Sequence, residues 1–405
     1  MQRLVVFLLA LYAFAVPWQY ALNLGEPYGN VARIVGILLL VASIPALLTR
    51  SRWRTPGAIQ VLVLALFLYL ALTYFWSIDP LTTLEKIRAY FQVMMVVWIS
   101  WEFMETPVQF RWLLSARVRG ASVLALLTLS GFLSASAAAA AEQARFTASG
   151  QDPNDVARFL DLVFPLSALL FAQSTRLWLR LAALAYLPLG TLAVVLTASR
   201  GGFLGILVAF ACVAILLLRW RPRSAIPSLL VALSSATVVW TLVPAETFAR
   251  LATIPAQFSA LDFNDRFTIW IKGLHAFARA PWFGYGAGNY ALASGLASED
   301  TAHNTLMALL VMGGLIAASL LVAVLLAALR SILLTSGLTR MAFLGVFLVW
   351  CVTASVGSVE ENRMTWLIFA CFALAGRCFA SPQPHSASPA SALRGPLLLP
   401  SPESA

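Results

Sequence analysis

The sequence predicts an all-α integral membrane protein of about 12 transmembrane helices, with both termini cytoplasmic and one large loop on the opposite side. Three observations lead there. The 405-residue chain is 60% apolar and 11% charged, with a mean hydropathy of +0.85, which is more apolar surface than one water-facing core can hide. Its apolar runs reach the roughly 20 residues that a helix needs to cross a hydrocarbon core, too long for the strands of a barrel. Its basic residues alternate along the chain as the retention of Lys and Arg on the cytoplasmic side requires.

In order, the predicted spans are 4–22, 31–48, 58–76, 86–103, 119–140, 156–172, 177–198, 201–218, 225–243, 304–329, 340–357 and 364–379. The first follows Arg3 and contains Ala13-Phe14-Ala15, as a cleaved leader would. Its apolar character continues through Trp18, Tyr20 and Leu22, so it reads as a retained helix. With the N-terminus inside, Arg3, the 50/52/54 trio, Arg111, Arg117, Arg119, Arg176, Arg180, the 219/221/223 trio, Arg330, Arg340, Arg377 and Arg394 face the cytoplasm. Only Glu102, Glu105 and Glu403 join them. The formal charge of +10 therefore reports topology and contact with anionic lipid, and excludes a nucleic-acid partner. Trp18, Trp76, Trp101, Trp178, Trp220 and Trp240 lie near span ends as an interfacial belt. Cys212, Cys351, Cys371 and Cys378 form no CxxC pair, so neither disulfide nor zinc is implied. No fixed-period repeat divides residues 1–380, which read as one membrane domain. Residues 381–405 turn to Pro, Ser and Ala and read as a disordered cytoplasmic tail.

The large loop, 244–303, has internal order. Phe267, Trp270, Ile271, Leu274 and Phe277 recur at helical spacing opposite Thr268, Lys272, His275 and Arg279. This predicts an amphipathic helix, capped by Asp265, that lies on the outer membrane surface or packs on the bundle.

Polar groups at membrane depth are costly, so those at span ends carry the functional hypotheses. Thr197-Ala198-Ser199-Arg200-Gly201-Gly202 joins two spans with almost no loop. It leaves the Arg200 guanidinium, a forked donor for phosphate oxygens, beside a helix N-terminus that also favours anions. Read blandly, Arg200 is a snorkelling turn residue. Arg266, after Asn264-Asp265, is a second anion ligand. The glycines of Gly284-Tyr285-Gly286-Ala287-Gly288-Asn289 follow no strand, which voids a nucleotide fingerprint and predicts a tight turn exposing backbone donors. His303, in Thr301-Ala302-His303-Asn304, is the one histidine at the mouth of a span. The helix dipole favours its neutral form while Glu299 and Asp300 pull the other way, and a neutral imidazole can serve as a base. Taken alone, such a boundary histidine is more often a structural hydrogen-bonder than a catalyst.

Together these features resemble the O-antigen ligase family of membrane glycan transferases. Ser199-Arg200-Gly201-Gly202 is similar to its Ser-Arg-Gly turn. Arg266-x-x-x-Trp270 with Gly284-x-Gly286-x-Gly288-Asn289 is similar to its periplasmic loop, and His303-Asn304 to its His-Asn pair. Arg145 with Gly150, Pro153 and Asn154, and Ser77-x-Asp79-Pro80, add further likeness, so the resemblance covers roughly 70 to 330.

The resemblance implies transfer of a glycan from undecaprenyl diphosphate to a hydroxyl of lipid A-core, on the periplasmic face of the inner membrane, with inversion. It makes His303 the base that orients or deprotonates the acceptor, and Arg200 and Arg266 the ligands of the donor diphosphate. Arg145, Arg158, Asn289, Asn304 and Arg363 are further substrate-binding candidates. No cofactor is implied: there is no GxxxxGK[ST] loop and no HExxH. A metal would need a carboxylate pair such as Asp152 with Asp155, Asp262 with Asp265, or Glu360 with Glu361. A polymerase would use the same chemistry on another acceptor, and a transporter could share the span count. Internal repeats and midplane charges would favour the transporter, Asp161 being the partial instance here.

Overall fold

The computed structural model of the chain describes residues 1–25, 29–135, 145–148, 151–220, 225–255, 266–298 and 300–379. Gly150, Asp262, Asn264, Asp265, Glu299 and the predicted tail lie outside the described residues. Among the described residues all regular structure is helical, apart from one isolated bridge pairing Asn23 with Asn30. In chain order the helices are α1 (Gln2–Ala15), α2 (Val31–Leu48), α3 (Ala58–Leu72), α4 (Pro80–Phe103), α5 (Pro107–Ser134), α6 (Pro153–Asp161), α7 (Phe164–Gln173) and α8 (Leu177–Leu196). There follow α9 (Arg200–Trp220), α10 (Ala225–Leu242), α11 (Ala245–Ala252), α12 (Arg266–Arg279), α13 (Tyr290–Ser294), α14 (Thr305–Leu333), α15 (Gly337–Ser355) and α16 (Arg363–Cys378).

Among the described residues seven segments are long and apolar enough to cross a membrane: Val31–Leu48, Ala58–Trp76, Pro107–Ser134, Leu177–Leu196, Arg200–Arg219, Thr305–Leu333 and Gly337–Ser355. Several other predicted spans coincide with helices that fall short of that standard, for physical reasons. α1 has 14 residues and α16 has 16. α4 carries Glu85, Lys86 and Arg88 in its first three turns. The span predicted over 156–172 is two helices, because Pro165 in the first turn of α7 has no N–H to continue a helix across Leu162 and Val163.

Helix starts follow local chemistry. Asp79 accepts from the Leu81 and Thr82 amides ahead of Pro80, so α4 starts well before residue 86. A capping box between Thr106 and Gln109 starts α5 at Pro107, before the predicted 119. Arg117 is thereby drawn from a predicted loop into the helix, where it is wholly buried and its Nη2 donates to Met364 Sδ at 2.6 Å.

In the bundle α9 packs on α15 and α6, α14 on α3 and α16, and α4 on α16. Small residues set how closely they approach. A Cβ on Gly202 of α9 would stand 2.2 Å from Ala157 Cβ of α6, so α9 comes this near only as glycine.

The glycine-rich segment serves this packing. α14 is broken at Gly314 (φ +64°), and the loop from Pro281 to Gly288 fills the break. The Tyr285 and Gly286 amides donate to the carbonyls of Val311 and Met312 at 3.1 and 2.9 Å, and the Leu315 amide to Pro281 O at 2.8 Å. The Ala287 amide donates to Thr73 Oγ1 at 3.1 Å. The tight turns expected there form, with φ of +66°, +100° and +87° at Gly284, Gly286 and Gly288. The expected free donors do not: a kinked helix consumes them, satisfying backbone groups that membrane depth leaves no water to satisfy.

α12 forms where the apolar spacing predicts it, but it turns a different ridge inward. Ile269, Gly273 and Ala276 are buried, whereas Phe267, Ile271 and Leu274 are exposed. The reason is Gly273, against which the Tyr290 ring lies with its hydroxyl donating to Ile269 O at 3.0 Å. Trp270 points toward the bundle, and its Nε1 donates to Ala302 O at 2.8 Å.

Candidate functional site

The Ser-Arg-Gly turn is built by hydrogen bonds. The Ser199 hydroxyl donates to Asn154 Oδ1 at 2.8 Å and accepts from the Gly202 amide at 3.1 Å. Arg145 closes the bracket: Nη2 donates to the same Asn154 oxygen and Nε to the Thr197 carbonyl, both at 3.2 Å. Arg200 is thus the first residue of α9, half-buried, with Nε toward the Arg250 carbonyl at 3.4 Å. Preceding it, Ala198 takes a left-handed φ of +48°.

His303 has the same kind of backbone, with φ +45°; among the described residues these two are the non-glycine positions in that region. Such strain costs about 1 to 3 kcal/mol and persists only where neighbours enforce it. Here Asn304 caps α14 by accepting from the Met307 amide at 3.0 Å and donates to Ser355 O at 3.1 Å. Thr305 Oγ1 donates to Gly357 O at 2.8 Å and accepts from the Val359 amide at 3.0 Å. With Trp270 holding residue 302, the backbone that carries the imidazole is held between α12 and the α15–α16 turn, and the ring Nδ1 lies 3.3 Å from Thr301 Oγ1.

Electrostatics gather these groups. Burial, then the charges of Arg158 and Arg200, push the Arg266 guanidinium below the usual arginine range. Burial, then Arg266 and Arg158, hold the His303 imidazole below its ordinary value, with Asp152 and Asp300 pulling partly back. Burial, then Arg250, lowers Arg145, on which Arg200 and Arg266 also bear. Arg158 is buried, pairs with Asp155 and lies where a side chain on Gly357 would stand. Five arginines, from α6, α9, α11, α12 and the strand-free segment before α6, thus share one end of the bundle with a histidine. Among the described residues no three His, Cys, Asp or Glu side chains gather as a metal site would need.

Such a cluster can bind a multiply charged anion and leave an uncharged imidazole beside it. Residues 183–322 match the model of a protein family described as O-antigen ligase. Over that stretch the chain is similar to the O-antigen ligase family. No curated protein matches the chain significantly. The matched stretch contains Arg200, Arg250, Arg266 and His303, whereas Arg145, Asp152 and Arg158 come from the segment before it.

Three other candidates are taken up in bracing hydrogen bonds. Arg363 binds Gln19, Asn30 and Gln92 by hydrogen bonds, away from the arginine cluster. Asn289 is 1% exposed, its amide donating to Ser77, Thr83 and Tyr285 as a brace for the glycine loop. Asn304 braces the backbone that carries His303. Conversely, the sequence reading overlooked Arg250 and Thr305, and weighed Asp152 only as half of a metal-binding carboxylate pair. Asp152 precedes Pro153, a cap signal, and Arg250 sits in the last turn of the short α11; either pattern was available.

Beside the arginine cluster, the α15–α16 turn buries Glu360. Desolvation foremost, then the neighbouring Glu361, raises its pKa to about 8, with Lys86 and Arg158 opposing. Between 4.5 and about 8 the folded chain holds a proton that the unfolded chain has released, so this carboxyl opposes folding increasingly as pH rises through that window. Glu360→Gln is expected to raise Tm by roughly 2 to 6 °C at about pH 9 and to change it little at about pH 5, in thermal unfolding of the purified protein. A pH-independent gap would show that Glu360 is not held protonated.

Proposed function

We propose that the chain is a glycan transferase that moves a glycan from undecaprenyl diphosphate to a sugar hydroxyl of lipid A-core on the periplasmic side of the inner membrane. The observation that carries this reading is the electrostatic contact of Arg266 with Arg200 and Arg158 on one side and His303 on the other. Attack by the acceptor oxygen forms its bond to the anomeric carbon as the bond from that carbon to the diphosphate oxygen breaks, which inverts the carbon. The acceptor's proton passes to neutral His303. Negative charge grows on the leaving diphosphate, where Arg200 and Arg266 hold it, Arg145 and Arg158 adding field from behind. Fixed guanidinium charges take the place that a divalent cation fills elsewhere, and the donor carries its own leaving group, so no nucleotide enters.

The test is reconstituted transfer with purified protein, undecaprenyl diphosphate-linked glycan and lipid A-core. A glycan joined to lipid A-core is expected, at a rate unchanged in excess EDTA. Loss of transfer with EDTA, restored by a divalent ion, would reassign the diphosphate to a metal. Products lengthened on the polyprenyl carrier, with lipid A-core unused, would make the chain a polymerase.

A further inference from the structure

Away from the arginine cluster, α2 packs on α1 but makes little contact with α4, and a cavity of ≈ 440 Å³ opens between them. Its walls are Ile37, Leu40, Phe67, Phe91, Met95 and Ile99, two of them exposed side chains. All its strongly polar groups lie at one end. Arg33 is in the first turn of α2, Arg88 and Gln92 are one turn apart on α4, and Arg363 opens α16. From Arg88 to Ile99 the groove follows α4 for roughly 16 Å, about the depth of one leaflet of a 30 Å hydrocarbon core.

The charges at that end are uncompensated. Arg363 donates to the amide oxygens of Gln19, Asn30 and Gln92, and among the described residues no carboxylate pairs with it. Arg33 and Arg88 are exposed, and among the described residues neither side chain has a hydrogen-bond or ion-pair partner. Lys86, one turn before, is already paired with Glu361 at 2.7 Å. Three guanidiniums above an apolar slot match a phosphate group that bears a hydrocarbon chain, since forked donors suit phosphate oxygens and apolar walls exclude a free ion.

We propose that this groove binds one anionic glycerophospholipid, with its phosphate on Arg33, Arg88 and Arg363 and one chain along Ile37, Leu40 and Phe67. A bilayer phospholipid is the occupant because the groove, with its charged end at Arg33, Arg88 and Arg363, runs for about the depth of one leaflet, the reach of a single acyl chain.

The test is native mass spectrometry of the full chain, delipidated in neutral detergent and titrated with phosphatidylglycerol or with phosphatidylcholine of the same chains. Phosphatidylglycerol is expected to bind on the order of 100-fold more tightly, from about 1 kcal/mol for each of the three arginines. The preference should fall to about fivefold in the Arg33→Gln/Arg88→Gln double variant, which replaces two exposed side chains and keeps Arg363. Ile37→Trp, which fills the slot, should weaken binding of both lipids. Equal affinity of the two lipids, or a preference undiminished in the double variant, overturns the proposal. So does displacement of phosphatidylglycerol by equimolar undecaprenyl phosphate, which would give the groove to the polyprenyl carrier.

Discussion

His303→Ala is expected to lower kcat for glycan transfer by about 10²- to 10⁴-fold, the range that a positioned general base contributes, while the bundle stays folded. The imidazole is half-buried, and its side-chain contact is Thr301 at 3.3 Å, so removing it strips little from the core. Unfolding temperature and detergent-solubilised yield should therefore match the unaltered protein.

The pH profile separates a base from a mere brace. The base works as neutral imidazole, so rate falls as pH drops through its pKa. Because burial and the Arg266 and Arg158 charges lower that pKa, the acid limb of kcat/KM should reach half-height below the ordinary 6.5. Arg266→Gln removes one of those charges and should move the surviving limb upward. Turnover of His303→Ala within about threefold of normal, or an acid limb at or above 6.5, would remove His303 from the reaction.

Much of this arrangement was legible in the residues themselves. Runs of apolar side chains mark most helices, because at membrane depth composition alone separates chain in lipid from chain in water. Arg200, Arg266 and His303 stood out because each sits at a span end or in the outer loop, where a charge or imidazole has no core to fill. What stayed hidden depends on long-range partners. The glycine loop reads as an anion nest until the break at Gly314 in α14 is seen to take its amides. Asn289 reads as a binding residue until Ser77 and Thr83 are found beside it. α12 presents two apolar ridges to the sequence, and only the Tyr290 ring against Gly273 decides which faces inward. The gap at Leu162 and Val163 was missed because both residues are apolar, and periodicity does not register a break with the same composition on either side.

Charge on the leaving diphosphate gives the second large effect. Arg200→Ala and Arg266→Ala are each expected to slow transfer by about 10- to 100-fold or more, since a charge-assisted hydrogen bond contributes about 1.5 to 3 kcal/mol. The loss should fall mainly on kcat, because the diphosphate gains charge as the anomeric bond breaks and a contact that strengthens then acts on the transition state. A rise in KM with kcat intact would instead make these arginines ground-state anchors. Arg266 feels Arg200 directly, so removing one raises the share of the charge carried by the other. The double variant should therefore depart from the product of the single effects. Arg266→Lys keeps the charge but not the fork, and should recover part of the rate. Lys272→Ala, on an exposed position of the same helix, serves as the control for general loss of positive field. Near-normal turnover in either alanine variant, with Tm unchanged, would break the link between the arginine cluster and the leaving group.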